Sequence, residues 1–345
     1  MKAVLKTEWE PGIIEIKDVD KPKIGADEVL IEVMATGICG SDVEIYEASM
    51  PLPVSLPRIM RHEFSGVVVE VGEAVPGVRV DDRVVAESGI VCRRCRFCKM
   101  GRHNLCLQRK ILGYLWDGTF AEYVKVPGIN VHKVPDNVPL DEAALAEPTA
   151  VTVHAVVERA HIMAGDVVAI LGPGPIGLLT LQCAKSAGAR RIIVTGLSAD
   201  RSRLELARKL GADETINVEE EDAVEKTKEL TDAFGADVVF EATGAPPAVK
   251  QAIDLTRKGG KIVLMGLHTK PVEKFDATHI IVNEKNILSS FAHASQTWDR
   301  ALSLISDGKI KPRPLITHVL PLEQIEQGFH LVKKKEAIKV VIKPP

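Results

Sequence analysis

The spacing of apolar positions along this chain changes once, near residue 150. Before that point they gather in short β-branched runs bounded by Gly, Pro and Asp: Val29-Leu30-Ile31-Glu32-Val33, Gly66-Val67-Val68-Val69-Glu70-Val71 and Val84-Val85-Ala86. Helical spacing is sparse there, so a domain of short strands is expected. Glu147-Pro148-Thr149 is followed by an apolar, helix-compatible stretch from Thr152 to Ala160. From Asp166 onward the pattern alternates. Val167 to Leu171 reads as a buried strand, Leu178 to Ala187 as a helix and Arg191 to Val194 as a strand. Arg201 to Leu210 reads as a helix, Val238 to Glu241 as a strand, Ala248 to Thr256 as a helix and Lys261 to Met265 as a strand. Such alternation implies βαβ units on a parallel sheet. The tail ends in a compact apolar strand, Ile338 to Ile342, suited to return to the first domain's sheet and make that domain discontinuous. The expected division is 1–150, 151–288 and a returning segment 289–345.

Composition narrows this picture only modestly. A chain of 345 residues, 46% of them hydrophobic, suits two soluble globular domains. A net charge of −3 gives no general pull toward nucleic acid or an anionic membrane. No apolar run is long enough to cross a bilayer, and Met1-Lys2-Ala3-Val4-Leu5-Lys6 opens no secretory signal. A cytoplasmic protein is therefore expected, in a compartment where clustered thiols hold metal more often than they form disulfides.

The glycine-rich turn Gly172-Pro173-Gly174-Pro175-Ile176-Gly177 follows a strand and opens a helix, the context in which G-x-G-x-x-G binds a dinucleotide. Gly172 allows the tight turn, Gly174 lets the pyrophosphate approach the backbone and Gly177 lets helix and strand pack closely. The pyrophosphate would rest on helix N–H groups at the positive end of the dipole. The acid expected near the end of the next strand to bind the ribose of NAD is absent: Gly196 stands there, with Ser198 and Asp200 following. With no carboxylate to repel a 2′-phosphate, and with Arg201 and Arg203 nearby, the sequence leans slightly to NADP over NAD. Both arginines equally suit a solvated helix.

Four of the six cysteines fall close together as Cys92-x-x-Cys95-x-x-Cys98-x7-Cys106, in a lobe spanning about 88–110. Four thiolates at this spacing make a closed tetrahedral zinc site, which is structural because no coordination position is open. Arg93, Arg94, Arg96, Lys99 and Arg102 are expected to help hold the thiolates deprotonated. An iron–sulfur cluster uses the same ligands, and a redox or disulfide cluster is disfavoured by compartment. The basic filling also admits a different class of protein, a non-enzymatic zinc module that binds nucleic acid.

A second constellation comprises Cys39 in Gly37-Ile38-Cys39-Gly40-Ser41-Asp42, His62-Glu63, and Glu147. One thiolate, one imidazole and one carboxylate make a catalytic-type zinc site with a position left for water or substrate. Spacing alone does not compel that reading.

These strings, together with Asp237-Val-Val-Phe-Glu-Ala-Thr243-Gly244 and Gly259-Gly260-Lys-Ile-Val-Leu-Met-Gly266, resemble the zinc-containing medium-chain dehydrogenase superfamily over essentially the whole chain. The likeness is to its sorbitol (polyol) and threonine dehydrogenase branches. The resemblance implies an α/β protein, with a GroES-like β catalytic domain, a Rossmann doubly wound parallel sheet and an active site in the cleft between them. It implies Cys39 and His62 as catalytic zinc ligands. Glu63 matches the carboxylate that coordinates zinc in the polyol branch. Glu147 takes the place of a cysteine ligand in alcohol dehydrogenases and would lie near the metal, directly or through water. Ser41 matches the hydroxyl beside the zinc-bound oxygen. The candidate cofactor contacts are Gly172, Gly174, Pro175, Ile176, Gly177, Gly196, Ser198, Arg201, Arg203, Thr243, Gly266 and Leu267. The implied reaction passes hydride between a nicotinamide cofactor and a polyol or secondary alcohol, with threonine or butanediol as alternatives, in a homotetramer or dimer. Two positions depart from the pattern. Relatives have Gly before the His-Glu pair where this chain has Arg61, and they often have a histidine for a proton relay where this chain has Glu44.

Overall fold

A computed structural model describes residues 1–273 and 275–345, which divide into two compact units. The first comprises Met1–Ala150, His293–Gly308 and Pro312–Pro345; the second comprises Val151–Ala292 with Lys309–Lys311. No helix among the described residues is long and apolar enough to cross a membrane.

The first unit is built on a seven-stranded sheet. Its central strand, Glu28–Gly37, pairs antiparallel with Phe64–Val71, Tyr123–Pro127 and Lys339–Lys343. The β-branched residues of the early runs supply one core: Val29, Ile31, Val33, Val68, Val84, Val124 and Val126 are buried together. The C-terminal strand joins in the register Val341↔Gly37 and Ile342↔Thr36 and in turn pairs parallel with Ile316–Pro321. A second core sits where the short helix Gly40–Tyr46 meets the helix Ile325–Lys333. There Phe329 packs tilted against Tyr46 at 4.9 Å and edge-on against Phe120 at 6.0 Å between ring centroids. The helix that begins just after Cys39 is thus seated on the returning part of the chain.

The second unit is a six-stranded, wholly parallel sheet. Its spatial order is Glu214–Asn217, Arg191–Gly196, Val167–Leu171, Ala236–Glu241, Thr256–Leu264 and Asn286–Ser289. Numbered along the chain this is 3-2-1-4-5-6, the doubly wound Rossmann order, which reverses beside the first strand. All five residues of Val167–Leu171 are buried, as a continuous apolar run covered on both faces requires. The stretch from Ala146 to Ala160 is an α-helix to Val153 and a π-helix thereafter.

The returning segment starts later than expected. Asn286–Ser289 pairs parallel with Thr256–Leu264 in the register Leu264↔Ser289, so the sheet runs past residue 288 and the first unit resumes at His293. Lys311 N donates to Gln182 Oε1 at 2.8 Å, which keeps the short stretch Lys309–Lys311 with the second unit.

Phe329 is 1% exposed. Phe329→Ala is expected to cost about 3–5 kcal/mol, read as an earlier urea midpoint for the first unit, and a change under about 1 kcal/mol would contradict this packing.

Candidate metal and dinucleotide sites

The lobe holds its four sulfurs as a cluster. Cys106 and Cys92 Sγ lie 3.5 Å apart, Cys95 and Cys98 3.6 Å, and Cys92 and Cys98 4.0 Å. Zinc–sulfur bonds near 2.3 Å in a tetrahedron give edges of about 3.8 Å. All six cysteines are free thiols. Backbone N–H groups of Cys92, Cys95 and Gln108 point at the sulfurs at 3.3–3.4 Å. Backbone N–H groups, and not the arginine side chains, bring down the Cys92 and Cys95 thiols. The N–H groups of Cys98 and Leu107 bring the Cys95 thiol down to about 6, whereas burial pushes Cys98 up to about 12. Arg93 turns away and donates to Asn130 Oδ1 at 3.1 Å.

The second constellation also assembles. A sulfur from Cys39, a ring nitrogen from His62 and a carboxylate oxygen from Glu63 all lie within 4.8 Å of one another. Cys39 caps the helix Gly40–Tyr46, and its N–H donates to Asp42 Oδ2 at 2.8 Å. His62 is buried. Burial first, and then the charge of Arg61, push its pKa down and keep the imidazole neutral, as ligation requires. Its buried Nδ1 has no hydrogen-bond partner. An orphaned nitrogen beside a thiol and a carboxylate fits a zinc ion. Without metal, burial and the charge of Glu63 push the Cys39 thiol up.

Glu147 stands in the first turn of Ala146–Val153, outside the 4.8 Å group. Burial alone would raise its pKa. The hydrogen bond from His293, aided by the charge of Arg61, works against that and brings it to about 2. Trp298 Nε1–H donates to His293 Nδ1 at 2.9 Å, which leaves His293 Nε2 as the N–H facing Glu147 Oε1 (3.4 Å) and Ser88 Oγ (3.2 Å). His132 stacks on the same Trp298, 5.3 Å between centroids, and reaches Glu87 at 3.4 Å. Ser295 donates to Glu87 at 2.9 Å and meets His103 of the cysteine lobe at 2.6 Å. Ser41 sits on the first turn after Cys39, beside the buried phenol of Tyr114, whose ring lies 5.7 Å from His62. Glu44, one turn further, is half-buried, and burial together with Asp42 raises its carboxyl.

Arg61, which stands where relatives have Gly, is fully buried. Its guanidinium pairs with Asp42 and Glu63, each at 2.5 Å. Its φ of +94° explains why glycine suits this position; an arginine there carries about 1–3 kcal/mol of backbone strain.

In the second unit the glycine loop has the geometry its sequence predicts. Gly172 has φ +97°, Gly174 caps the helix Pro175–Ser186, and a Cβ on Gly177 would lie 1.9 Å from the Gly172 carbonyl oxygen. Across the switch point the buried Glu241 accepts from the N–H groups of Thr243 (2.7 Å) and Gly244 (3.0 Å) and from the Thr243 hydroxyl. Gly266 packs on Gly244, and Leu267 is exposed beside it. The two arginines differ. Arg201 is exposed, whereas Arg203 is buried and paired with Asp200 at 3.4 Å, so it does not offer its guanidinium at the surface. Glu219, from the loop after the adjacent strand, accepts from Ser198 N at 2.7 Å, and Asn217 donates to Ser198 Oγ at 2.9 Å. A carboxylate therefore sits just beyond Gly196 after all, supplied by a different strand.

Sequence reasoning missed Glu219, His293, Ser88, Tyr114 and Lys339. None lies in a motif, and each meets its partners from a separate segment of the chain.

Known proteins share this fold. The family "Alcohol dehydrogenase GroES-like domain" matches residues 25–136, and "Zinc-binding dehydrogenase" matches 175–307. A sorbitol dehydrogenase of Halalkalibacterium halodurans is 42% identical over 345 residues, covering 100% of this chain and 99% of that protein. An L-threonine 3-dehydrogenase of Bacillus licheniformis is 39% identical over 348 residues, covering 100% and 99%. The crystal structure of an NAD-dependent alcohol dehydrogenase superposes with a TM-score of 0.93 at 31% identity, covering 99% of each chain. The chain belongs to the zinc-containing medium-chain alcohol dehydrogenase superfamily, in the branch that holds the sorbitol and threonine dehydrogenases. It is an alcohol or polyol oxidoreductase.

Two predictions follow from the lobe and its surroundings. Cys98→Ser is expected to remove one zinc equivalent per chain and cost about 3 kcal/mol or more, measured by elemental analysis and denaturant unfolding; an unchanged metal count would remove the lobe from the list of metal sites. The second concerns Glu87. Burial would raise its carboxyl, but the hydrogen bond from His132, the charge of His293 and the Ser295 hydroxyl hold it below 4.5. A depressed folded pKa contributes stability above that value and loses it as pH falls below. Glu87→Gln is expected to flatten the acid limb of the unfolding midpoint against pH, and a slope as steep as the parent's would refute the linkage.

Proposed function

We propose that the chain is a zinc-dependent dehydrogenase of polyols or secondary alcohols that uses NAD. The observation that carries this reading is the donor set of half-buried Cys39 with buried His62 and Glu63, whose imidazole nitrogen is left unpaired. Cys39, His62 and a carboxylate, Glu63 or Glu147, would hold the catalytic zinc; Cys92, Cys95, Cys98 and Cys106 would hold a structural one. When bound, the zinc lowers the pKa of a substrate hydroxyl, and the nicotinamide takes the hydride. Ser41 Oγ would receive the hydroxyl proton and pass it toward Glu44, its neighbour one turn along the helix. Tyr114 would cover the imidazole and exclude water.

NAD over NADP is supported by Glu219 on the Ser198 N–H and by the burial of Arg203 against Asp200. Both oppose a 2′-phosphate, so the slight sequence preference for NADP is set aside. Exposed Arg201 is the one feature that favours it.

A homodimer or tetramer is supported by Asn286–Ser289, the last strand of its sheet, and by exposed Ile281 and Val282 before it. The free thiols accord with the cytoplasm.

A panel of polyols, secondary alcohols, butanediol and threonine, run with each cofactor, tests the reading. Turnover is expected with NAD, at a kcat/KM above that with NADP by about tenfold, or roughly 1.4 kcal/mol. Cys39→Ser is expected to lower kcat/KM by at least about 100-fold, roughly 2.7 kcal/mol, while dinucleotide binding persists. Absence of turnover on every substrate with either cofactor would defeat the proposal.

A further inference from the structure

The segments that carry Cys39 and His62-Glu63 are joined through one side chain. Arg61 Nη1 meets Asp42 Oδ2 at 2.5 Å, and the same oxygen accepts from the Cys39 N–H at 2.8 Å. Arg61 Nη2 meets Glu63 Oε2 at 2.5 Å, and Arg61 Nε donates to the Glu63 carbonyl at 3.3 Å. Lys339, buried on the C-terminal strand, closes on Glu63 Oε2 from the other side. Gly37 makes room for that pair: a Cβ there would lie 2.8 Å from Lys339 Cε and 3.2 Å from Glu63 Oε2. The backbone of Arg61 is equally confined. Thr119 N donates to its carbonyl, and a Cβ on Gly113 or Gly118 would lie within 2.3 Å of its backbone atoms. A strained, buried arginine is therefore held on three sides and spends its polar atoms on the two segments that supply the metal donors.

We propose that Arg61 is a positioning residue for the catalytic metal centre, holding Cys39 through Asp42 and Glu63 directly, so that the donors stand at ligating distance before the metal binds. The proposal rests on the reading of Cys39, His62 and Glu63 as a zinc site. Two carboxylates and two cations make the buried quartet neutral overall. Arg61 therefore confronts an arriving cation with no uncompensated charge. What its removal deletes is the bridge.

The alternative, that Arg61 merely weakens the site by repulsion, predicts the opposite sign. The two are separated by zinc affinity from chelator competition and by the absorption spectrum of the holoenzyme with Co²⁺ exchanged into the catalytic site. Arg61→Gly suits the positive φ and removes only the side chain. It is expected to bind zinc about 10–100-fold more weakly, as changes in the shell around metal ligands do, with shifted cobalt bands. Arg61→Lys, able to pair with one carboxylate at a time, should restore part of the affinity. Asp42→Asn should weaken binding too, and the double variant should lose less than the sum, because both act through one bridge. Tighter zinc binding in Arg61→Gly, or parent affinity with an unchanged cobalt spectrum, would overturn the proposal. Should Arg61→Gly not fold, Arg61→Lys and Asp42→Asn decide it in the same way. Cys39→Ser serves as the control. If it keeps the thiolate–cobalt band of that site, the metal-site reading itself fails; if it loses the band while the Arg61 variants are silent, only the positioning role fails.

Discussion

Ionised groups buried side by side must be matched in number and held in register, and the interior around Cys39 is organised by that requirement. Asp42, Arg61, Glu63 and Lys339 lie beneath the surface with almost no exposure. Removing any one would leave a partner uncompensated in a medium where lone charges are very costly. The strand Lys339–Lys343 must therefore enter the sheet in one register, because a shift by one residue would carry Lys339 to the opposite face. The same pairing sets the helix Ile325–Lys333 against the helix that Cys39 caps. Electrostatic matching and sheet register are thus one constraint seen from two sides.

The two donor clusters were legible to different degrees for a physical reason. The cysteine lobe is local: its donors lie within a short loop, and its N–H donors come from the same loop, so spacing alone describes it. The Cys39, His62 and Glu63 cluster is non-local. Cys39 and His62 could be named from short strings, but the groups that orient Glu147, namely His293, Trp298 and Ser88, arrive from distant segments and carry no motif. The role of Arg61 was visible only as a missing glycine, until its ion pairs supplied the reason.

Four of the parallel sheet's six strands were legible, all but Glu214–Asn217 and Asn286–Ser289, because continuous apolar runs alternate with helices there. The boundary near residue 288 was not, since an edge strand as short as Asn286–Ser289 has half-exposed residues and little β signal. The dinucleotide strand shows the same limit. Gly196 correctly signalled that its own strand supplies no acid, yet Glu219 reaches the spot from the neighbouring strand's loop, a result of the 3-2-1 order that no reading along one strand could give.

The split first unit also orders events during synthesis. Asp42, Arg61 and Glu63 leave the ribosome early, but Lys339 follows only after the whole second unit has been made. The nascent chain can gather the four sulfurs of its cysteine lobe from a contiguous stretch long before then. The cluster of Cys39, His62 and Glu63, short of one cation and of the strand that bears it, is completed last. One cluster thus belongs to the growing polypeptide, and the other to the finished protein.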